Sequence, residues 1–337
     1  MTATKSNVTP ERIMQFAWGY SAPLIIEAAI HHKVFDLLAE GPRTVEQISQ
    51  QSGASVRGLR SIIGALVGLE LLAKDGERYQ LTPESATFLV SSRPGYYGGF
   101  FRHITKQLIP GWLNLTDIVR TGKPARAVNQ ENTGGEFFQE FVEDIFPLSY
   151  AAAGALADAL GVAQARETLP VLDLAAGSGV WGISLAQRSP LVRVTAVDWP
   201  EVIPVTKKIA TRFGLADRYR FVAGDLLEAD FGSGHAIATL GHILHSEGEP
   251  RSRALLKRVF QALRSGGTIA IQEFLVNDDR TGPPVGLLFA VNMLVNTENG
   301  DTYSATEIGQ WLKESGFVDV RTLDAPGPSP LVLASKA

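Results

Sequence analysis

Cysteine is absent from all 337 residues. Disulfides, thiol nucleophiles and cysteine-ligated zinc are therefore excluded, and a reducing, cytoplasmic setting is expected. A basic excess is missing too. The net charge is -4, which speaks against a nucleic-acid partner held by bulk electrostatics. No apolar run reaches the length of a membrane span, since the longest candidate, 285–295, is short and interrupted by Asn292. The opening MTATKSNVTPERIMQ is too polar for a signal peptide, so no membrane partner is expected. What is present is an ordinary globular composition, 45% apolar and 20% charged, long enough for two domains.

Residues 1–94 read as helices followed by a winged helix. Thr9-Pro10-Glu11 puts a cap, a proline and an acid at a helix start. Thr44 and Gln47 form a capping box, Ser55 to Leu72 is a strongly apolar helix, and a hairpin wing follows up to Leu81. The would-be recognition helix carries only Arg57 and Arg60 as cations, so it suits burial against protein better than a DNA groove. Residues 95–150 are rich in glycine, proline and aromatics and read as helices bridging two domains. Phe137, Phe138 and Phe141 share a helix face there, either as plain core or as the wall of a pocket for a flat substrate. Tyr150 is a candidate cofactor contact. From 151 to 337 helices and strands alternate, which predicts an α/β fold with a doubly wound, mostly parallel sheet.

The most informative stretch is TLPVLDLAAGSGVWGISLAQ, Thr168 to Gln187. It joins a buried strand to a helix through a glycine turn at Gly177 and Gly179, with Asp173 just before it. Such a turn lets backbone and free N–H groups approach a ligand. Gly177, Gly179 and Gly182 spell G-x-G-x-x-G, with Asp198 about 20 residues on, which is also the pattern of a dinucleotide site. A carboxylate at Asp173 would repel pyrophosphate, whereas it suits the cationic end of S-adenosylmethionine (SAM). Asp198 ends the second strand, where a carboxylate can accept from both ribose hydroxyls, and Trp199 offers a face to the nucleoside. Asp225 ends the third strand, with Leu226 placed to pack on a ring. After the fourth strand come His242 and His245, which share a face if helical. A metal reading lacks an acid at suitable spacing, and no metal is expected. Phe289, Asn292, Met293 and Asn296 share one face of a later helix, as an acceptor pocket or as an interface.

DLAAGSG resembles motif I of the class I SAM-dependent methyltransferases, with Ala175 in place of the first glycine. With AVDWP, GDLL, HILHSEGE, GGTIAIQEF and NTENGDTYSATEIGQWLKESGF, most of the chain resembles the small-molecule O-methyltransferases of the caffeic-acid/hydroxyneurosporene type. The resemblance implies a winged-helix dimerisation domain (1–94), a helical substrate-pocket segment (95–150) and a Rossmann-like SAM domain (151–337). It also implies a homodimer acting on a small, hydroxyl-bearing aromatic metabolite. It places the general base at His245, an orienting acid at Glu273, the adenine amino group on Asp225, and the acceptor against the helix carrying Phe289 and Met293. Ser246 and Glu247 depart from the family's Asp-Trp after the histidine, and the second expected acid has only Asp301 to supply it. A SAM-binding relative with non-methylating chemistry, an NAD-dependent oxidoreductase and a winged-helix regulator stay open as alternatives at this stage.

Overall fold

Local signals set the elements of the N-terminal part. A computed structural model describes residues 8–129, 131–327 and 329–337 of the chain. Thr44 accepts from the Gln47 backbone N–H while the Gln47 side chain accepts from Thr44 N, opening the helix Val45–Ser52. Ser55 caps the helix Val56–Gly68, which buries Leu59, Ile63 and Leu66 at helical spacing. Strands β1 (Leu72–Asp75) and β2 (Arg78–Leu81) pair antiparallel as the wing. Ile48, Leu59, Ile63, Leu66 and Leu72 join Val34, Phe35 and Leu38 in one core, while Arg57 and Arg60 are exposed. The first helix, Glu11–Ala17, starts on Pro10 with no side-chain cap, so Thr9 does not serve there. Glu11–His31 is also long and apolar enough to cross a membrane by length and composition alone, which the sequence reading had put out of reach for any stretch. Interposed Arg12 and Glu27 hide it from a search for uninterrupted apolar runs.

The second part is organised by a seven-stranded sheet. Its strands are β3 (Leu169–Leu174), β4 (Val192–Asp198), β5 (Tyr219–Ala223), β6 (His235–Gly241), β7 (Leu263–Gln272), β8 (Val318–Leu323) and β9 (Leu331–Ser335). The order is β5-β4-β3-β6-β7-β9-β8. The strands β3 to β7 run parallel, and β9 is antiparallel to both β7 and β8. Val171, Leu172, Ala196, Ala238 and Ile269 are buried, as strands covered by helices on both faces require. From β3 the chain winds outward through β4 and β5, then returns to place β6 on the other side of β3. A crevice opens at the carboxyl ends of the strands where that direction reverses.

Compact units divide after Ile109, giving Met1–Ile109 and Pro110–Ala337. The segment read from sequence as a bridge, 95–150, is therefore split. The helix Gly98–His103 belongs with the first unit. Trp112 belongs with the second, where its indole N–H donates to Asn292 Oδ1 at 3.0 Å. The helix Phe146–Ala159 has Pro147 in its first turn.

Candidate active site

The glycine turn after β3 is held by hydrogen bonds to the tip of β4 and to the helix Ile203–Arg212 beyond it. Gly177 N donates to Asp198 Oδ2 at 2.7 Å, and Thr206 Oγ1 donates to Gly177 O at 2.6 Å. Three residues of the turn are left-handed: Ala175 (φ 48), Gly177 (φ 54) and Gly179 (φ 75). Ala175 bears a Cβ in a conformation that suits glycine. Ala175→Gly is expected to be neutral or to stabilise by roughly 1 kcal/mol at most, relief of strain being offset by backbone entropy; a fall in Tm would contradict this.

A cavity opens over the turn, walled by Ala175, Gly177, Asp198, Trp199, Asp225, Leu226, Phe138, Trp181 and the segment Gly241–Glu247. Asp198 accepts from Gly177 N on one oxygen and from Trp199 N, at 2.7 Å, on the other. Burial pushes its carboxyl up to about 6 against those two donors. Asp225 Oδ1 accepts from Leu227 N at 2.7 Å, and its Oδ2 faces Arg251 Nη2 at the same distance. The Trp199 ring meets Phe138 with centroids 5.7 Å apart.

Four expected contacts are not on this wall. Asp173 is fully buried, and its oxygens accept from Gly182 N at 3.0 Å and Thr239 Oγ1 at 2.8 Å. Strand alternation turns it beneath the helix Val180–Arg188, and it does not line the cavity. Burial pushes its carboxyl up to about 7. Gly179 caps that helix and packs toward Thr206 and Ile183. Gly182 serves packing as well, since a methyl there would come within 2.8 Å of Val194 and the Tyr219 hydroxyl. Phe141 lies behind Phe138, in an aromatic cluster with Phe137. Tyr150 is exposed and donates its hydroxyl to Gln187 Oε1 at 2.9 Å.

The histidine end is built from the tips of β6 and β7 and the helix that follows β6. His242 follows β6 in a left-handed conformation (φ 59) and is not helical, so the expected helical face does not exist. His245 stands in the first turn of the helix Leu244–Ala262, and the two rings lie 6.1 Å apart. Glu273, just past β7, supplies the acid that sequence spacing did not show. Its Oε2 is 2.6 Å from His245 Nδ1, and its Oε1 accepts from Leu244 N at 2.6 Å. His242, His245 and Glu273 thus form a cluster whose potential ligand atoms lie within 4.8 Å of one another. Burial raises the Glu273 carboxyl, but His245, His242 and the Leu244 N–H outweigh it and hold it below the usual range. Burial drives His242 down to about 4, so it is neutral at pH 7. The Asp301 carboxylate faces Arg280 at 3.2 Å, while its backbone N donates to His245 O at 2.9 Å. A side chain on Gly300 would run into the His245 carbonyl, and one on Gly248 would meet Asn299 O at 2.7 Å.

On the helix Pro284–Asn296, the Phe289 ring meets His245 edge-on, with centroids 4.8 Å apart, and stacks on Phe274 at 4.0 Å. Asn296 Nδ2 donates to Asn292 Oδ1 at 3.1 Å, the same oxygen that takes the Trp112 N–H, and Met293 is buried. Phe289 is therefore brought to the histidine, whereas the two asparagines bond to each other.

Residues 112–318 match the O-methyltransferase domain, and residues 14–91 match the O-methyltransferase dimerisation domain. The chain belongs to the O-methyltransferase family. Among its relatives, the 3-hydroxy-5-methyl-1-naphthoate 3-O-methyltransferase of Streptomyces sahachiroi is 31% identical, covering 97% of this chain and 96% of that one. The tetracenomycin polyketide synthesis 8-O-methyl transferase TcmO of Streptomyces glaucescens is 30% identical over 97% of each. A solved structure from Nostoc punctiforme, itself assigned to the O-methyltransferases, superimposes with a TM-score of 0.89 at 28% identity, covering 98% of this chain and 100% of that one. The human N-acetylserotonin methyltransferase, solved in complex with SAM, shares the fold at a TM-score of 0.83 and 24% identity, over 99% of each chain.

This methyltransferase is SAM-dependent and of the small-molecule type. Its cavity fits the nucleoside of SAM: two carboxylates stand at strand tips among aromatic and aliphatic walls, and among the described residues no lysine or arginine lines it. A pyrophosphate would call for cations there. Trp181 and Arg251 escaped the sequence reading. Trp181 was legible as the second residue past the glycine turn, in the first turn of a helix whose start faces the strand tips. Nothing local marked Arg251.

Proposed function

We propose that the methyltransferase moves a methyl group from SAM to a hydroxyl of a small aromatic acceptor, with His245 as general base and Glu273 as its orienting acid. The observation that carries this is the 2.6 Å contact between His245 Nδ1 and Glu273 Oε2 on a residue that lines the cavity. With Nδ1 engaged, the other ring nitrogen is the one free to accept a proton. Bound SAM supplies a methyl carbon on a positively charged sulfur. His245 Nε2 takes the acceptor's hydroxyl proton as the oxygen bonds to that carbon and the carbon–sulfur bond breaks. Glu273 stabilises the imidazolium. Positioning of oxygen against carbon at about 3–3.5 Å supplies much of the remaining acceleration. Phe138 and Phe289 suit a flat ring, in keeping with relatives named for naphthoate and tetracenomycin polyketide substrates. Incubation with SAM and a panel of hydroxylated naphthoates and polyketide aromatics, read by mass spectrometry, tests the reading. A product heavier by one methylene, with the methyl on oxygen, is expected; methylation on nitrogen or carbon alone would overturn it.

Asp198 is proposed to take the ribose hydroxyls. Asp198→Ala should weaken SAM binding by roughly 10-fold or more, the loss of hydrogen bonds to a charged group. Because its carboxyl sits at about 6, wild-type affinity should fall as pH drops through that value and protonation removes acceptor capacity. Calorimetry at pH 5 and pH 8 reads both effects, and an unchanged affinity in the variant would remove Asp198 from the site.

Residues 1–94 are proposed to pair two copies of the chain. Ile13, Phe16, Trp18 and Tyr20 each leave more than half of their surface exposed, an apolar stripe that a second chain would cover. Native mass spectrometry should give twice the chain mass, and the double variant Ile13→Glu/Phe16→Glu should give monomer. A monomeric wild type refutes the pairing.

A further inference from the structure

The tip of β5 and the helix after β6 share a feature that the reaction above does not use. Arg251 reaches two carboxylates at once: its Nη2 lies 2.7 Å from Asp225 Oδ2 and its Nε lies 2.6 Å from Glu247 Oε2. Both acids line the cavity. The Glu247 side chain is only 5% exposed and that of Asp225 25%, while Arg251 is 42% exposed and approaches from the solvent side. Glu247 stands where the resembled motif carries tryptophan, so this chain replaces a neutral wall residue with an acid and needs a cation to hold it.

We propose that Arg251 is a positioning residue for SAM: it clamps Asp225 and Glu247 into one fixed acidic wall at the adenine end of the cavity. The proposal rests on the reading that Asp225 faces the adenine amino group. Asp225 is pinned at both oxygens, by Leu227 N and by Arg251, which fixes its rotamer. Each carboxylate oxygen keeps a second lone pair, so a pinned Asp225 still accepts from an amino group. Without the guanidinium, two acids share a desolvated wall. Burial already raises the Glu247 carboxyl despite Arg251, and the loss of that cation would leave Glu247 to protonate or swing into the cavity. Lysine cannot span both acids, since it lacks the planar fork.

Calorimetry with SAM and steady-state kinetics on the full-length protein test this. Arg251→Gln should raise the Kd and KM for SAM roughly 10–100-fold, as for truncation of one partner of a desolvated charge pair, with kcat at saturating SAM within about 3-fold. Arg251→Lys should fall between. Adding Glu247→Gln to Arg251→Gln should recover most of the affinity, because the second acid is then gone. A merely structural role would lower Tm and kcat without moving the KM for SAM and without rescue, and that result overturns the clamp. Asp225→Asn separates the two layers of the argument. If it weakens SAM binding while Arg251→Gln binds like wild type, the clamp alone falls. If Asp225→Asn also binds like wild type, the adenine reading falls and takes the clamp with it. Should Arg251→Gln fail to fold, Arg251→Lys with and without Glu247→Gln carries the same comparison.

Discussion

His245→Ala is expected to lower kcat by roughly 10²–10⁴-fold while SAM still binds with near wild-type affinity. His245 sits on the cavity wall, but the groups proposed to hold the nucleoside, Asp198, Trp199 and Asp225, come from other strand tips. Removing the imidazole therefore takes away the proton acceptor and leaves the socket. Glu273→Gln should give an intermediate loss. The amide keeps the shape and can still accept from Nδ1, but it cannot balance the charge of an imidazolium. Both variants are read by single-turnover methyl transfer alongside SAM calorimetry. Wild-type turnover in His245→Ala would leave positioning as the sole source of catalysis, and His245 would then be a wall residue.

The second large effect concerns stability. Asp173→Ala should destabilise the fold by about 2–4 kcal/mol, because it strands the Gly182 N–H and the Thr239 hydroxyl in a fully buried place. The pH dependence follows from the direction of the shift. The native carboxyl sits at about 7, above its unfolded value near 3.8, so the folded protein holds a proton that the unfolded chain releases. The stability that this proton contributes is fully present below about pH 4 and is lost as pH rises through about 7. Wild type should accordingly gain more on acidification from pH 8 to pH 5 than Asp173→Asn does, a difference that denaturant titration at the two pH values resolves. Equal gains would mean that Asp173 is ionised across the range.

These two residues also mark what the sequence could and could not convey. Alternation of strand and helix, the capping box at Thr44 and the turn at Gly177 are local signals, and the elements follow them. Asp198, Asp225 and His245 were legible because each ends a strand or follows one directly. Asp173 turns beneath the helix Val180–Arg188 by parity. It lies on the same strand as the turn it precedes, and whether position 173 faces helix or crevice depends on register rather than on proximity to glycine. The cluster around His242 was hidden by distance along the chain. Glu273 is 28 residues from His245, and only the parallel pairing of β6 with β7 carries it there. Arg251 joined Asp225 across 26 residues by the same kind of tertiary accident of strand order.

The His245 carbonyl and the loop at Gly300–Asp301 meet main chain to main chain. Two chain segments cross there with no side chain between them, fastened by the Asp301 N–H and closed to any larger residue at Gly248 or Gly300. The placement of His245 is thereby tied to main-chain architecture, so that a side chain at Gly248 or Gly300 is expected to displace it, whereas Phe289, on the helix Pro284–Asn296, takes no part in that crossing.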